Sequence, residues 1–347
     1  MTIVFDIGHP AHVHYFKFMI KQLQDNNHQV IVFARDKECT HELLKAYGIQ
    51  FISRGKGSNS FIGKIIYILK TDLQFVIRLF PKKVDVFVGF ASPYAAHAAW
   101  ILRKKSITID DTDRAHLSHK LYKPFTTIIA TPQVFEKDLG PKQRRFDSFM
   151  ELCYLHPTVL KSSANAIQKL GLKIEDRFVI LRFVSWGANH DWGQSGLSLV
   201  QKRKLIEILS PNYKVFISSE GTLPEEFIPY QLRIAPEDLH EVLSNASLYI
   251  GEGATMAAEA ALLGVPAVYT NSLLAGTLRR LQSAGLLYLW DGEDSDFSSF
   301  ILELISNEEL NEKHFELRKK LISETMNPLA FFHDLIQTGR PEHERKL

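Results

Sequence analysis

Residues 250–271, IGEGATMAAEAALLGVPAVYTN, decide how the rest of the chain is interpreted. An apolar strand, a turn with glycines, a helix of small residues and a second apolar strand follow one another directly, which predicts half of a βαβ layer. Thr255 is a suitable N-cap and Gly264 suits the helix end, so the helix is expected between them. Its free N–H groups and positive dipole end suit an anion such as a pyrophosphate. The candidate phosphate contacts are Gly253, Ala254, Thr255 and Met256.

Glu259 is the one carboxylate of this predicted helix and lies among alanines and leucines. In a capping box the acid follows the cap by three residues, whereas Glu259 follows Thr255 by four, so capping explains it imperfectly. A carboxylate here could instead accept hydrogen bonds from the two vicinal hydroxyls of a ribose. The alternative is a solvated helix acid, which the helix dipole would also favour.

Composition limits the class of protein. A chain of 347 residues with 45% hydrophobic residues can fill about two domains. The formal net charge of +2 gives no strong field for nucleic acid, so no nucleic-acid partner is expected. Cys39 and Cys153 lack zinc-site spacing, which is typical of a reducing cytoplasm. Met1 leads into an apolar strand without a signal-peptide pattern, and no apolar run is long enough for a membrane span, so we expect a cytoplasmic protein.

Short apolar runs alternate with amphipathic segments along most of the chain, the pattern of parallel sheets with crossover helices. A first set of strands is predicted near residues 2–7, 29–34, 49–53, 84–89, 106–110 and 126–130, and a second near 177–183, 213–218, 231–234, 247–251, 265–270 and 286–289. Pro157 breaks the chain between the sets and places the domain boundary near residues 157–162. The predicted fold is therefore α/β, with two Rossmann-like domains whose parallel sheets face across a cleft.

Three histidines follow the first predicted strand in the segment DIGHPAHVHYFK: His9, His12 and His14. Because His12 and His14 would point about 200° apart on a helix, the three imidazoles cannot share one metal ion, and no metal site is predicted. We expect one imidazole, with His12 preferred, to reach the cleft as a general base, and His9 to be a candidate substrate contact. The alternative for His12 is a local hydrogen bond at the helix start.

Residues 61–80, FIGKIIYILKTDLQFVIRLF, are very apolar, and basic residues occur within this segment and just after it. The apolar arc of such a helix is wider than one core-facing side requires. Two interpretations are open. Either residues 61–83 contact a membrane surface peripherally, with basic side chains towards lipid phosphates, or the segment forms two ordinary helices packed on the sheet.

Three aspartates leave the sheet edge together in TIDDTDRAH, after the fifth predicted strand: Asp110, Asp111 and Asp113. Asp111 and Asp113 match a DxD metal-binding pattern of other enzymes, but they lie outside the domain of the presumed phosphate site. We therefore expect Asp111 or Asp113 to be a carboxylate that binds a substrate hydroxyl or acts as a base. The alternative is an aspartate that forms a turn.

The second domain offers further polar loops at the ends of its predicted strands. A glycine-rich segment after the strand near 177–183 can wrap phosphates with backbone N–H groups, and Arg182 could add a charge-assisted contact. The SSEG turn at residues 218–221 and the APEDLH loop at 235–240 would border the same pocket. The candidate binding residues in these loops are Arg182, Ser185, His190, Asp191, Ser219 and Glu220.

Motifs spread over nearly the whole chain resemble an uncharacterised bacterial and archaeal family with a GT-B-type fold: GHPAHVHYFK, DDT, YLHP, RFVSWGANHD, SSE and GEGATMAAEAALLGVP. That family is distantly similar to the lipid-linked N-acetylglucosaminyltransferase of peptidoglycan synthesis and to the non-hydrolysing UDP-N-acetylglucosamine 2-epimerases. The resemblance implies a second domain that binds UDP, with Glu259 at the position of a ribose-binding acid. His12 matches a histidine that faces the acceptor.

The expected organisation is an N-terminal domain of residues 1–158 on the acceptor side and a nucleotide-sugar-binding domain of residues 159–326. The resemblance also implies that a C-terminal helix within residues 327–347 crosses back to the first domain.

Residues and resemblance together predict a metal-independent glycosyltransferase that uses a UDP-linked sugar and no cofactor. Its acceptor would be a cell-surface glycan or a lipid-linked precursor, handled in the cytoplasm or peripherally at the inner face of the membrane. His12 is the first choice for the base that deprotonates the acceptor, and Asp111 is the second. Two alternatives stay open: a sugar-nucleotide 2-epimerase and a non-catalytic nucleotide-sugar-binding protein.

Overall fold

The computed structural model describes residues 1–58, 60–113, 115–160, 165–173, 175–184, 197–219, 221–272, 275–290 and 294–339. The chain forms two compact units, one of Met1–Val159 with Thr325–Leu347 and the other of Leu160–Glu324. Within these described ranges, every helix is too short or too polar to cross a membrane.

The first unit is built around a seven-stranded sheet in the order β3-β2-β1-β4-β5-β6-β7, and all of its pairings are parallel. Its strands are β1 Thr2–Ile7, β2 Gln29–Ala34, β3 Ile52–Ser53, β4 Val86–Phe90, β5 Lys105–Ile109, β6 Ile128–Pro132 and β7 Gln143–Phe146. Its helices are α1 Pro10–Asp25, α2 Thr40–Ala46, α3 Phe61–Leu79, α4 Pro93–Ile101, α5 His116–Tyr122 and α6 Leu152–Leu155, and the last helix of the chain, α14 Pro328–Thr338, also belongs to this unit. The central strands are continuous apolar runs because helices cover both faces of a parallel sheet.

The second unit has a five-stranded parallel sheet in the order β12-β11-β10-β8-β9. Its strands are β8 Phe178–Phe183, β9 Lys214–Ser219, β10 Leu248–Gly251, β11 Ala267–Tyr269 and β12 Leu287–Leu289. Its helices are α7 Asn165–Lys169, α8 Leu199–Leu209, α9 Leu239–Ser244, α10 Ala254–Leu263, α11 Gly276–Ser283, α12 Asp294–Ser306 and α13 Leu310–Glu324, with 3-10 turns at Glu225–Tyr230 and Pro236–Asp238. The sequence therefore predicts the α/β class correctly for both units.

The predicted and observed strands differ in two places, one predicted strand that is absent and one observed strand that was not predicted, each for a local reason. The strand expected at residues 231–234 is wrong, since only Gln231 forms a single bridge, to Ile217, directly after a 3-10 turn. Conversely, β7 was not predicted, because its sequence QRRF has polar side chains at three of four positions. It is an edge strand beside β6, and an edge strand needs less apolar sequence than a central one.

Helix α14 packs within the first unit. The rings of Phe331 and Phe332 lie 5.4 Å and 5.2 Å from the ring of Phe146 on β7. Asn327 caps the helix, its side chain accepting a hydrogen bond from the N–H of Leu329 at 3.0 Å. Aromatic packing and a capped start therefore fix the final helix on this unit.

Candidate functional site

Three neighbouring strands of the second unit align polar and glycine residues at their carboxyl ends. Gly251 of β10 is the register partner of Arg182 on β8, and Arg182 is the partner of Ser218 on β9. The guanidinium Nη1 of Arg182 donates to Ser218 Oγ at 2.8 Å. An arginine is thus held at the sheet edge where open α/β sheets bind their ligands.

Both glycines of the GEG turn lie beside the Arg182 side chain, Gly251 in the closer contact. A Cβ at Gly251 would lie 2.7 Å from Arg182 Cβ and 2.6 Å from the hydroxyl of Tyr249, so no side chain fits there. A Cβ at Gly253 would lie 3.5 Å from Arg182 Cγ and 3.9 Å from its Nε. These glycines therefore bring the start of α10 next to a positive charge.

Helix α10 begins at Ala254, with Gly253 in extended conformation as its N-cap. The prediction that Thr255 is the N-cap is therefore wrong; Thr255 is an exposed residue of the first turn, followed by the buried Met256. Because glycine has no side chain, this N-cap donates no capping oxygen to the first-turn N–H groups of α10. These N–H groups are therefore suited to bind an anion. The predicted helix end is confirmed, since Gly264 adopts a left-handed φ of 82°.

Glu259 lies in the second turn of α10 and is buried against α9. Its Oε1 is 3.0 Å from Nε2 of His240, and the two residues are only 4% and 3% exposed. Glu259 is therefore not the solvated helix acid of the alternative interpretation. The sequence predicts the loop of His240 near the pocket but does not single out the histidine, because its pairing with Glu259 depends on the packing of two helices.

Glu252, between the two glycines, was also missed. Its carboxylate accepts hydrogen bonds from the backbone N–H groups of Val184 at 2.7 Å and of Leu197 at 2.9 Å. Its Oε1 is 3.0 Å from Nζ of Lys202, and both side chains are buried. The buried carboxylate of Glu252, paired with Lys202, thus holds the backbone at Val184 and Leu197, the residues on either side of segment 185–196.

The remaining predicted residues of this unit are only partly covered by the structure. Ser185, His190, Asp191 and Glu220 lie outside the described residues. Ser219 ends β9, and its hydroxyl donates to the carbonyl of Gly221 at 2.9 Å, so it stabilises the turn after the strand.

In the first unit, His12 is near the start of α1 at the carboxyl end of β1. Its Nδ1 accepts a hydrogen bond from the N–H of Gly8 at 3.2 Å. Burial, followed by the neighbouring charges of His9 and Arg54, lowers the pKa of His12 well below its ordinary value. The imidazole is therefore neutral near pH 7, with its proton on Nε2, and it presents a hydrogen-bond donor.

His9 caps α1, its Nδ1 accepting from the N–H of Ala11 at 3.2 Å. Its Nε2 is 3.8 Å from a carboxylate oxygen of Glu38. His14, two residues beyond His12, is buried, with its ring 5.4 Å from that of Tyr154. The rings of His9 and His12 are neighbours, with centroids 5.9 Å apart, whereas His14 packs separately against Tyr154. Across the described part of the chain, no group of three or more His, Cys, Asp or Glu side chains could hold a metal ion.

A buried arginine that sequence analysis did not single out lies beside the first turn. Arg54 follows β3, and its Nε is 3.0 Å from Oδ1 of Asp6 on β1. Ser92 donates to the other oxygen of Asp6 at 2.5 Å. A Cβ at Gly8 would lie 3.1 Å from Nη2 of Arg54, so the guanidinium reaches the carboxyl end of β1.

Two of the three aspartates after β5 hold the surrounding backbone or side chains. Asp110 is fully buried and accepts from the Tyr122 hydroxyl at 2.7 Å and the N–H of Thr112 at 2.9 Å. One Asp113 oxygen accepts from the N–H groups of Glu136 at 2.8 Å and Lys137 at 3.3 Å. Asp110 and Asp113 therefore stabilise this corner of the sheet.

Asp111 differs from its two neighbours. Its Oδ1 accepts a hydrogen bond from the side chain of the next residue, the hydroxyl of Thr112, at 3.0 Å. Burial, reinforced by the charge of Asp110, raises the pKa of Asp111 to about 7. A carboxyl group with this pKa can both accept and return a proton near neutral pH.

The family described as "Protein of unknown function (DUF354)" matches residues 1–288 of the chain. The chain belongs to this family. Another protein, the uncharacterized protein MJ0665 of Methanocaldococcus jannaschii, is 24% identical over 291 residues, covering 79% of this chain and 83% of the relative.

Solved structures similar to this DUF354 chain share its fold at low sequence identity. A candidate UDP-N-acetylglucosamine 2-epimerase from Listeria monocytogenes has a TM-score of 0.71 at 13% identity, covering 100% of this chain and 97% of that one. The UDP-GlcNAc 2-epimerase of Neisseria meningitidis, bound to UDP-GlcNAc, has a TM-score of 0.67 at 13% identity, with 97% and 98% coverage. MurG of Acinetobacter baumannii has a TM-score of 0.59 at 17% identity, with 97% and 99% coverage. The fold is therefore of the GT-B type.

Proposed function

We propose that this DUF354 protein is a metal-independent glycosyltransferase that transfers a sugar from a UDP-linked donor to a cell-surface glycan or a lipid-linked precursor. It would act in polysaccharide biosynthesis on the cytoplasmic side of the membrane. The observation that carries the proposal is the edge of the second unit, where the glycine-capped start of α10 packs on Arg182. The GT-B-type neighbours, which include a UDP-GlcNAc complex, support this assignment.

The second unit would bind the donor. First-turn N–H groups of α10 and the guanidinium of Arg182 would take the diphosphate, stabilising the charge that develops on it as the glycosidic bond breaks. Glu259, oriented by His240, would accept hydrogen bonds from the ribose hydroxyls. Glu252 would position the segment that carries Ser185, His190 and Asp191 without touching the nucleotide.

The first unit would supply the base. Asp111, with a pKa of about 7, is suited to remove the proton of the acceptor hydroxyl as that oxygen attacks the anomeric carbon. His12 would serve as a neutral donor through Nε2, because its Nδ1 is engaged by the N–H of Gly8. From the sequence, His12 is the first choice for the base and Asp111 the second, and we propose the opposite order. The role of His12 as the base stays a prediction.

The second candidate function is a sugar-nucleotide 2-epimerase. Asp111 favours it, since a carboxyl group with a pKa of about 7 could also remove and return a proton on the sugar itself. That reaction needs no acceptor.

Incubation with UDP-N-acetylglucosamine alone and with a panel of polyprenyl-diphosphate and glycan acceptors separates the functions. If the protein is a transferase, UDP is released only when an acceptor is present, and a glycosylated acceptor is formed. Epimer formed without acceptor would contradict the transferase and support the epimerase. Tight UDP binding with no turnover on any acceptor would support a non-catalytic binding protein.

A further inference from the structure

Helix α3 of the first unit has two apolar faces. One face is buried: Phe75 and Leu79 are almost inaccessible, and the Phe75 ring stacks on that of Phe33 at 3.9 Å. The other face points roughly 150° away at 3.6 residues per turn. It carries a stripe of large apolar side chains that are each 59% to 78% exposed: Ile62, Ile66, Leu69, Leu73, Ile77 and Phe80. Residues 61–79 thus form one helix instead of the two ordinary helices of the alternative interpretation.

This exposed stripe is continuous along the whole helix. Its members are spaced by three or four residues, so they form one side of the helix over about five turns. Monomeric proteins seldom expose an apolar patch of this extent unless it binds something. The core does not need these side chains, because the buried face already packs α3 on the sheet.

Charges within α3 and just after it are almost all positive. Residues 61–83 contain five basic residues and one acid, and each of the five basic side chains is exposed: Lys64, Lys70, Arg78, Lys82 and Lys83. Asp72, the acid, is 2.8 Å from Nδ1 of His97 and is paired within the protein. Lys70 borders the stripe, since it precedes Ile77 by seven residues and therefore lies on nearly the same side of the helix.

We propose that α3 is a docking surface for an anionic lipid bilayer. The helix would lie in the plane of the interface, with its apolar stripe among the acyl chains and its basic side chains extended to lipid phosphates. An apolar stripe with Lys70 at its border and Lys82 and Lys83 just beyond Phe80 has the two attractions that such binding needs, hydrophobic burial and attraction to anionic headgroups.

A second copy of the chain fits this face less well. A symmetric dimer through the stripe would bring Lys70 of both copies into one interface, and their like charges would repel. An anionic bilayer instead attracts Lys70 and the exposed Lys82 and Lys83, which follow Phe80 closely in the chain. Docking through α3 does not depend on the proposed reaction, so it can be tested without turnover.

Sedimentation with vesicles tests the proposal on the full-length protein. We expect co-sedimentation with mixed phosphatidylcholine–phosphatidylglycerol vesicles and weaker binding to phosphatidylcholine alone. The double variant Leu69→Asp/Leu73→Asp should bind at least about tenfold more weakly, because two carboxylates would enter the apolar layer. Lys70→Gln should weaken binding only to the anionic vesicles, by roughly fivefold.

Val200→Asp is the matched control, because Val200 is 71% exposed on α8 of the other unit. It should bind vesicles like the unmodified protein, and circular dichroism should show the same melting curve for all variants. Equal vesicle binding by Leu69→Asp/Leu73→Asp would overturn the proposal. So would a protein that ignores vesicles but forms a dimer which this double variant disperses in sedimentation velocity.

Discussion

Nε2 of His240 lies 3.0 Å from Oε1 of Glu259, and both side chains are buried where α9 packs on α10. The two residues are nineteen positions apart and come from the first turn of one helix and the second turn of the next. A histidine in this position fixes the direction of the carboxylate. It therefore acts as a positioning residue for the ribose contact proposed for Glu259.

Replacement of His240 tests this positioning role. His240→Leu removes the hydrogen bond to a buried carboxylate and should weaken UDP binding at least about tenfold. His240→Gln keeps an N–H donor and should recover most of the affinity. Titration calorimetry with UDP measures both variants. Equal affinity of the leucine variant and the unmodified protein would show that Glu259 needs no support from His240.

Lys202 and Lys204 offer a matched pair for the stability of the second unit. Lys202 is buried against Glu252, whereas the Lys204–Glu207 pair, with 3.1 Å between Nζ and Oε2, is exposed. Lys202→Met should lower the free energy of unfolding by about 3 kcal/mol, because it leaves Glu252 with an uncompensated buried charge. Lys204→Met should change it by less than about 0.5 kcal/mol.

Urea denaturation of both variants provides the measurement. If the two lysine variants unfold at the same urea concentration, Glu252 does not depend on Lys202 for its neutralisation. The double variant Lys202→Met/Glu252→Gln should recover part of the loss, since it removes the stranded charge.

The raised pKa of Asp111 predicts a pH dependence of turnover. A base must be deprotonated, so kcat/KM should rise tenfold per pH unit below about 7 and become constant above it. Asp111→Asn should abolish this rise and lower kcat by about a hundredfold or more. Asp113→Asn is the control for a turn-holding aspartate. It should keep the rise of kcat/KM with pH, displaced slightly to lower pH because the charge of Asp113 contributes to the raised pKa of Asp111.

Asp111 also predicts an effect on stability. In the folded protein the pKa of Asp111 is about 7, above its ordinary value of 3.8, so protonation of this carboxyl group stabilises the folded state. That contribution is complete below the ordinary pKa and is lost as pH rises to about 7. Asp111→Asn should therefore stabilise the protein above pH 7 by up to about 4 kcal/mol and have little effect at pH 4. Thermal unfolding at both pH values checks this; a variant less stable at pH 8 would contradict the buried-charge account.

His12 variants separate a hydrogen-bond donor from a base. Glutamine can place an N–H near the position of Nε2, so His12→Gln should lose no more than about tenfold in kcat. A general base in this position would cost about a hundredfold or more. His12→Ala gives the reference for loss of both roles. If His12→Gln is as inactive as His12→Ala, the base role returns to His12.

The sequence predicts the two sheets well where strands are buried on both faces, because such strands are continuous apolar runs. Strand β1 at Thr2–Ile7 and β2 at Gln29–Ala34 are found where the sequence places them. Strand β7 escapes prediction since an edge strand can be as polar as QRRF. The pattern of a single strand cannot reveal its place in the sheet, and that place decides how apolar it must be.

Within the candidate site, unusual residues were easier to predict than their partners. Glu259 stands out as the lone acid of an apolar helix, but His240 becomes its partner only when α9 packs on α10. Glu252 lies between two glycines, and the glycines alone explain the turn in the sequence, so the carboxylate does not stand out. The residues that donate hydrogen bonds to it are 68 and 55 positions away. Arg54 has no motif at all; its role appears only when the fold brings the residue after β3 to Asp6 of β1, with β2 between the two strands.

Titration calorimetry of UDP with Glu259→Gln tests the central claim most directly. The exposed Glu303→Gln, on α12 of the same unit, removes the same charge and serves as the control. We predict that the unmodified protein and Glu303→Gln bind UDP equally, while Glu259→Gln binds at least about tenfold more weakly with an unchanged melting curve. Unchanged UDP affinity in Glu259→Gln would contradict a nucleotide site at the head of α10.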